Sequence, residues 1–260
     1  MKFKITTAAV ILSCLVFSSC KKEYTLVSTT DDLTGKAYLR IIHAAPSFRA
    51  LFGVQDTFNV FIDNNKVNAT VLTYGSVFPG ATANPYLAVN AGLKDIKLSI
   101  PGKILEDSIA ITTITKTLAA GSYYTLMLTD SIKFARDSSQ IFLKDNLVKP
   151  LNTLYSLRFI NAVYNDTVGK TIDIFSAKRN GNLFSNAVPG KIFDFTTLPY
   201  NAQFADTLFV RRSGTLINFA SVIIGAGGFG NQKSYTLYFR GDMLLTTGAK
   251  ARSVTYVVNQ

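Results

Sequence analysis

The chain has 260 residues, with 27 Lys and Arg against 16 Asp and Glu, a formal net charge of +11. Its two cysteines, Cys14 and Cys20, lie near the start, and His43 is its single histidine. That inventory excludes disulfides, thiolate metal sites and cysteine nucleophiles from the region after Cys20, and multi-histidine metal centres throughout.

Lys2 and Lys4 precede an uncharged apolar run from Ile5 to Phe17, which ends in Ser18-Ser19-Cys20. A basic tip, a short apolar stretch and small residues form a secretory signal pattern. The run is about 13 residues, short of the roughly 20 that a spanning helix needs. Phe17-Ser18-Ser19-Cys20 resembles the bacterial lipobox, which implies cleavage after Ser19 and acylation of Cys20. Two or more acyl chains give stable anchoring, at about 0.8 kcal/mol per buried methylene. Residues 1–19 are therefore expected to be the signal and 20–35 a lipidated cysteine and polar tether. Lys21 after the cysteine resembles outer-membrane sorting, which implies a place on the cell surface or the periplasmic face.

Once Lys2 and Lys4 leave, 25 basic residues face 16 acidic ones. This balance favours acidic partners such as lipid phosphate, acidic polysaccharide or DNA, and a dispersed solvated surface is the leading explanation of it. The densest basic run in the body is Arg211-Arg212, so no nucleic-acid partner is expected.

From Lys36 onward the composition is that of strands, with 19 Phe and 12 Tyr among recurring Val, Ile and Thr. Period-two alternation sets Tyr38, Arg40 and Ile42 against Leu39, Ile41 and His43. It recurs at Phe58–Ile62, Ile96–Ile100 and Ser122–Leu128, separated by turns such as Asp63-Asn64-Asn65, Asn90-Ala91-Gly92 and Ala120-Gly121. Gln140 to Leu143 closes this set, and Ser253 to Val258 reads as a final strand paired into a sheet.

The pattern occurs twice. Leu39-Arg40-Ile41-Ile42-His43-Ala44 aligns with Leu157-Arg158-Phe159-Ile160-Asn161-Ala162 at an offset of 118, Val60-Phe61 with Ile174-Phe175 at 114, and Tyr124-Thr125-Leu126 with Tyr235-Thr236-Leu237 at 111. Offsets that drift in one direction indicate two related domains with different loops. The expected fold is all-β, with two tandem immunoglobulin-like antiparallel β-sandwich domains over residues 36–148 and 149–260.

Arg40-Ile41-Ile42-His43-Ala44-Ala45-Pro46, followed by Val60-Phe61-Ile62-Asp63, resembles the opening of an uncharacterised bacterial family. This is the domain-of-unknown-function family numbered four-three-nine-seven, with its Arg-x-x-His-Ala-x-Pro signature. Tyr86 to Gly92 and Leu118 to Thr125 also fit its pattern. The resemblance implies a β-sandwich and an envelope location, and it brings no established activity. Asn161 replaces the histidine in the second copy, so a role of His43 is not shared.

His43 would have to serve any imidazole acid–base chemistry. At a strand end beside Ala44-Ala45-Pro46, a structural histidine bonded to turn backbone is expected instead. The carboxylates Asp95, Glu106 and Asp173 follow no motif, and Asp63, Asp95 and Asp130 are read as turn residues. Gly225 to Gly230 satisfies G-x-G-x-x-G but leads into a strand, which excludes the dinucleotide fingerprint. No cofactor is expected. Asp-Ser/Thr followed by an aliphatic residue resembles the O-glycosylation acceptor of Bacteroidota envelope proteins, which implies candidate sites at Ser108, Ser131, Thr167 and Thr207. Tyr74, Phe78, Tyr86, Tyr164 and Tyr200 lie near predicted loops, where rings can stack on sugars. The leading expectation is a non-enzymatic binding or scaffold lipoprotein, with membrane contact through Cys20 and an envelope protein or anionic glycan as partner. The alternative is a glycan-binding or glycan-processing accessory protein.

Overall fold

The computed structural model describes residues 34–48, 56–80, 85–102, 110–129, 140–163, 165–166, 170–203, 205–224 and 229–260. The signal, Cys20, Glu106, Ser108, Asp130, Ser131, Tyr164, Thr167 and most of the glycine-rich loop lie outside the described residues.

The first half forms β1 (Lys36–His43), β2 (Thr57–Ile62), β3 (Asn65–Lys66), β4 (Leu72–Thr73), β5 (Val77–Phe78), β6 (Leu87–Asn90), β7 (Gly92–Ser99), β8 (Ala110–Leu118), β9 (Tyr123–Leu128) and β10 (Ile141–Asp145). The second forms β11 (Leu154–Asn161), β12 (Ile172–Ser176), β13 (Gly181–Ala187), β14 (Thr196–Pro199), β15 (Asp206–Arg212), β16 (Asn218–Ile224), β17 (Ser234–Arg240) and β18 (Ser253–Val258). No α-helix occurs among the described residues.

One sheet of the first sandwich runs β10-β9-β1-β5, with β6 also on β1; the other runs β3-β2-β7-β8, with β4 on β2. The second sandwich repeats this as β14-β11-β17-β18 and β13-β12-β15-β16. The parallel pairing of β1 with β9, placing Leu39 against Tyr124, recurs between β11 and β17, with Leu157 against Tyr235. The repeated sequence thus occupies repeated positions in space. Among the described residues, no sheet contains strands from both halves.

Alternation builds each core. Leu39 and Ile41 of β1 pack with Phe58, Val60, Ile96, Leu98 and Leu126 inside the first sandwich. Leu157 and Phe159 of β11 pack with Ile174, Leu208, Val210 and Leu237 inside the second. The β2–β3 turn needs left-handed backbone, which Asp63 and Asn64 supply at φ 49° and 66°. Asp95 departs from its expected turn position. It lies within β7 and accepts from Thr115 Oγ1 at 2.6 Å, because that strand starts directly at Gly92. β10 also outruns its expected end at Leu143 by two residues, and its last residue is Asp145.

β1 and β11 are buried on both faces, which a simple two-layer sandwich does not require. The second faces meet each other. Ile42, Ala44, Met127 and Ile141 pack against Ile160, Ala162, Tyr238 and Val257 in a third apolar cluster between the halves. The two sandwiches together form one compact unit.

Candidate functional site

The joint between the sandwiches holds the most elaborate side-chain arrangement among the described residues. Arg40 and Arg158 occupy equivalent places in β1 and β11, pointing into the joint by the same alternation that sends their neighbours into the cores. Both are almost fully buried. A buried guanidinium is costly unless its donors are satisfied, and the repeated scaffold supplies equivalent partners on both sides.

On the first side, Arg40 Nη2 donates to Tyr86 OH at 3.1 Å and Thr125 Oγ1 at 3.2 Å. Those hydroxyls donate onward to Asp145 Oδ2 at 2.9 and 2.6 Å. On the second side, Arg158 Nε donates to Thr236 Oγ1 at 2.8 Å, which donates to Asn259 Oδ1 at 2.8 Å. Thr125 and Thr236 correspond, as do Asp145 and Asn259. The guanidinium carbon of Arg40 lies 4.6 Å from the Tyr86 ring centre, and that of Arg158 lies 4.7 Å from the Phe195 ring.

Within this network, three of the described bonds cross between the halves. Arg158 Nη2 forms a short ion pair with Asp145 Oδ1. Arg40 Nη1 donates to Val258 O at 2.8 Å, and Asn259 Nδ2 donates to Tyr86 OH at 2.9 Å. Asp145 is the one carboxylate of this network, shared between two arginines. Burial outweighs the attraction of Tyr86 and Asp145 and holds the Arg40 pKa below its usual value; burial also pushes the Tyr86 phenol up. The Tyr86 hydroxyl therefore stays protonated and serves as a fixed donor and acceptor. Chemically, the arrangement is a buried clamp that ties one half to the other.

A second, more exposed strip runs beside it. Lys250 Nζ reaches Asp56 Oδ2 at 3.1 Å, and Arg240 stacks over the Tyr74 ring at 4.8 Å. The chain reaches both positions through Gly241, whose φ is +108° and where an added Cβ would sit 2.4 Å from Ala251 O. Gly241→Ala is expected to cost at least about 2 kcal/mol in a urea unfolding titration, from strain and backbone collision combined.

His43 lies next to this strip and is fully buried among Phe48, Phe58 and Tyr74, with ring centres 5.9, 5.0 and 5.9 Å away. The Asp56 backbone faces the ring, but neither ring nitrogen makes a full hydrogen bond among the described residues. Burial, reinforced by Lys250 and Arg240, lowers its pKa to about 3. An aromatic cage thus surrounds a neutral ring that has the Asp56 backbone beside it. Asn161, its counterpart, satisfies its amide instead, donating to Ala187 O at 3.2 Å and accepting from Val163 N at 3.3 Å.

The remaining sequence candidates do not converge. Tyr86 belongs to the clamp and Tyr74 lies under Arg240. Tyr200, half-buried, sits with Tyr155, Phe229 and Asp206 at one end of the second sandwich. Asp173 accepts from Asn182, Asn186 N and Ser213, stapling β12 to its surroundings. Asp63 sits in its turn and pairs with Lys94. Thr207 is half-buried in β15 opposite Ile223 and lines an open cavity of about 290 Å³. Gly230 leads into β17 as expected, its N–H bonded to Tyr235 OH at 2.6 Å. Sequence reading missed Asp145, Thr125, Thr236 and Asn259. The available signal was a charge repeated at the same place inside two apolar strands, which demands buried partners.

No curated protein matches the chain. Among solved structures it is similar to one from Bacteroides thetaiotaomicron named "putative polysaccharide binding proteins (DUF1812)", at 9% identity over 86% of this chain and 96% of that one. The TM-score is 0.22, too low for that likeness to bear on fold or ligand. The family model described as "Domain of unknown function (DUF4397)" matches residues 37–174. That stretch runs from β1 through the first sandwich into β12 and contains Arg40, His43, Tyr86, Thr125, Asp145 and Arg158. Since it covers more than half of the 260 residues, the chain belongs to this family of domains of unknown function.

Proposed function

We propose that the protein is a non-enzymatic lipoprotein of the outer membrane, anchored through Cys20, whose two sandwiches act as one rigid binding or scaffold module. The observation that carries this reading is the arginine clamp. Flexibly linked domains need no buried ion pair at their contact, and the default expectation for tandem domains is relative motion. Here polar side chains from both halves are committed to fixing one geometry, which suits a body that holds a surface at a set orientation. The anchor follows from the signal pattern and the cysteine. Labelling cells with an alkyne fatty acid is expected to tag the protein, and Cys20→Ala is expected to abolish the tag. A tag that persists in Cys20→Ala would refute the anchor.

A glycan-binding role is the second reading, supported by the wall of Tyr155, Tyr200 and Phe229 beside Asp206. Tyr155 and Phe229 are buried, leaving Tyr200 as the ring open to a sugar, so this reading ranks second. Polysaccharide affinity electrophoresis tests it: retardation that is lost in Tyr200→Ala would promote it above the scaffold reading.

A further inference from the structure

The lysines of the body are scattered along the sequence, yet the fold gathers several of them at one end. β1 and β17 run the same way through the joint. Arg40 of β1 reaches Val258, which lies opposite Tyr235 at the start of β17. At the other end, Arg240 closes β17 over Tyr74, whose neighbour Gly75 donates to His43 O at the close of β1. β9 is parallel to β1 and β11 to β17, so both sandwiches begin these strands at one shared end.

Lys36 opens β1 at that end, and Lys144 lies opposite Tyr124, which faces Leu39 near the same start. Lys233 precedes β17, its carbonyl accepting from Ser156 N at 2.9 Å. Ser234 Oγ reaches Val148 O, beside Lys149, at 3.5 Å. Lys178 N donates to Asp206 Oδ1 at 2.9 Å, and Asp206 lines one pocket with Tyr155 near the start of β11. Lys144, Lys149, Lys178 and Lys233 are exposed, and none of the four makes an ion pair among the described residues. The carboxylates nearest them are occupied: Asp145 lies in the clamp, and buried Asp206 accepts from Ser176 and Lys178 N. At the far end Asp166 matches Arg212 and Asp56 matches Lys250.

The chain that precedes the described residues joins at this same end. Thr34, the first described residue, stands two positions before β1, and Cys20 lies 14 residues before it. Fully extended, that stretch spans at most about 50 Å, so an anchor at Cys20 keeps the start of β1 within that distance of a bilayer. We propose that this end of the paired sandwiches is a docking face for an anionic bilayer, where Lys144, Lys149, Lys178 and Lys233 sit against headgroup phosphates. Lysine suits the task, since its compact ammonium on a flexible stem meets phosphate as a point charge. Docking seats the body on the membrane and turns the end that bears His43 and Leu244 outward. The proposal rests on the anchor at Cys20 and gives the scaffold reading an orientation.

The test places the acylated protein on vesicles that carry an acceptor dye on their headgroups. A fluorescent amino acid replaces Leu151, exposed just before β11 at the lysine end, or Leu244, exposed just after β17 at the other. An eight-residue strand such as β1 separates the two ends by about 25 Å. On vesicles of about one-third phosphatidylglycerol in phosphatidylcholine, energy transfer from position 151 is expected to exceed that from 244 at least about twofold. The excess is expected to vanish on phosphatidylcholine alone, and in about 1 M salt. It is also expected to vanish when Lys144→Gln, Lys149→Gln, Lys178→Gln and Lys233→Gln are combined, with circular dichroism confirming the fold. Equal transfer from both positions on anionic vesicles, or an excess that persists in any of those three conditions, would overturn the proposal. Failure of the anchor is read separately, as a native protein that does not float with phosphatidylcholine vesicles.

Discussion

Asp145→Ala is expected to destabilise the protein by about 3–5 kcal/mol, the loss typical when one partner of a buried ion pair is removed. The carboxylate is fully buried and Arg158 is only 3% exposed, so water cannot readily replace it. Tyr86 and Thr125 would lose their common acceptor, and two buried guanidinium groups would face each other without an anion. The loss concentrates at the joint, so its form is as informative as its size. Urea unfolding of the native chain is expected to be one transition, because the halves share a core cluster and the clamp. In Asp145→Ala the sandwiches are expected to separate into two transitions. Asp145→Asn, which copies the equivalent Asn259, keeps some hydrogen bonding but still lacks the charge and should fall between the two. Replacing both partners with apolar residues, as in Asp145→Leu with Arg158→Met, is expected to recover much of the loss. A loss below about 1 kcal/mol in Asp145→Ala would mean that the pair does not hold the joint.

The second large effect concerns acid. His43 is neutral in the fold, with its pKa lowered from 6.5 to about 3. Between those values the unfolded chain binds a proton that the folded chain does not. The stability from the neutral ring is therefore complete above about pH 6.5 and is lost as pH falls toward 3. Between pH 7 and pH 4 the loss amounts to about 3 kcal/mol. Lys250 and Arg240 on the second sandwich reinforce the effect, since a protonated ring would meet their like charge; Asp56 lies on the opposite side of that balance. His43→Leu removes the titrating group and keeps the cage filled. The stability difference between the native chain and this variant should shrink or reverse by about 3 kcal/mol over that range. A difference that stays constant from pH 7 to pH 4 would show that the ring is hydrated or paired.

The doubled fold was legible because β structure writes its geometry locally. Two-residue alternation marked β1 and β11, and Asp63-Asn64 and Ala120-Gly121 marked turns whose backbone is left-handed. The aligned Leu-Arg-x-Ile segments proved to be equivalent strands. The clamp was not legible, since its members are far apart along the chain. Arg40 meets Val258 across 218 positions and Tyr86 meets Asn259 across 173. Tyr86 illustrates the error that follows. Its place beside a loop suggested a sugar-stacking ring, yet pairing of β6 with β1 turns it under the second sandwich, where it is 7% exposed.

The claim that the two sandwiches form one rigid body is tested most directly by a distance between them. No cysteine follows Cys20, so in a Cys14→Ala, Cys20→Ala background two introduced cysteines are the only thiols. Lys66→Cys, at the exposed end of β3, and Lys178→Cys, on an exposed turn after β12, place nitroxide labels on the first and second sandwich. Pulsed electron paramagnetic resonance is expected to give a single narrow distance distribution, broadened when Asp145→Ala is added. A broad or multiple distribution in the otherwise native body would contradict the account, because it would mean that the sandwiches move independently and the clamp does not hold them.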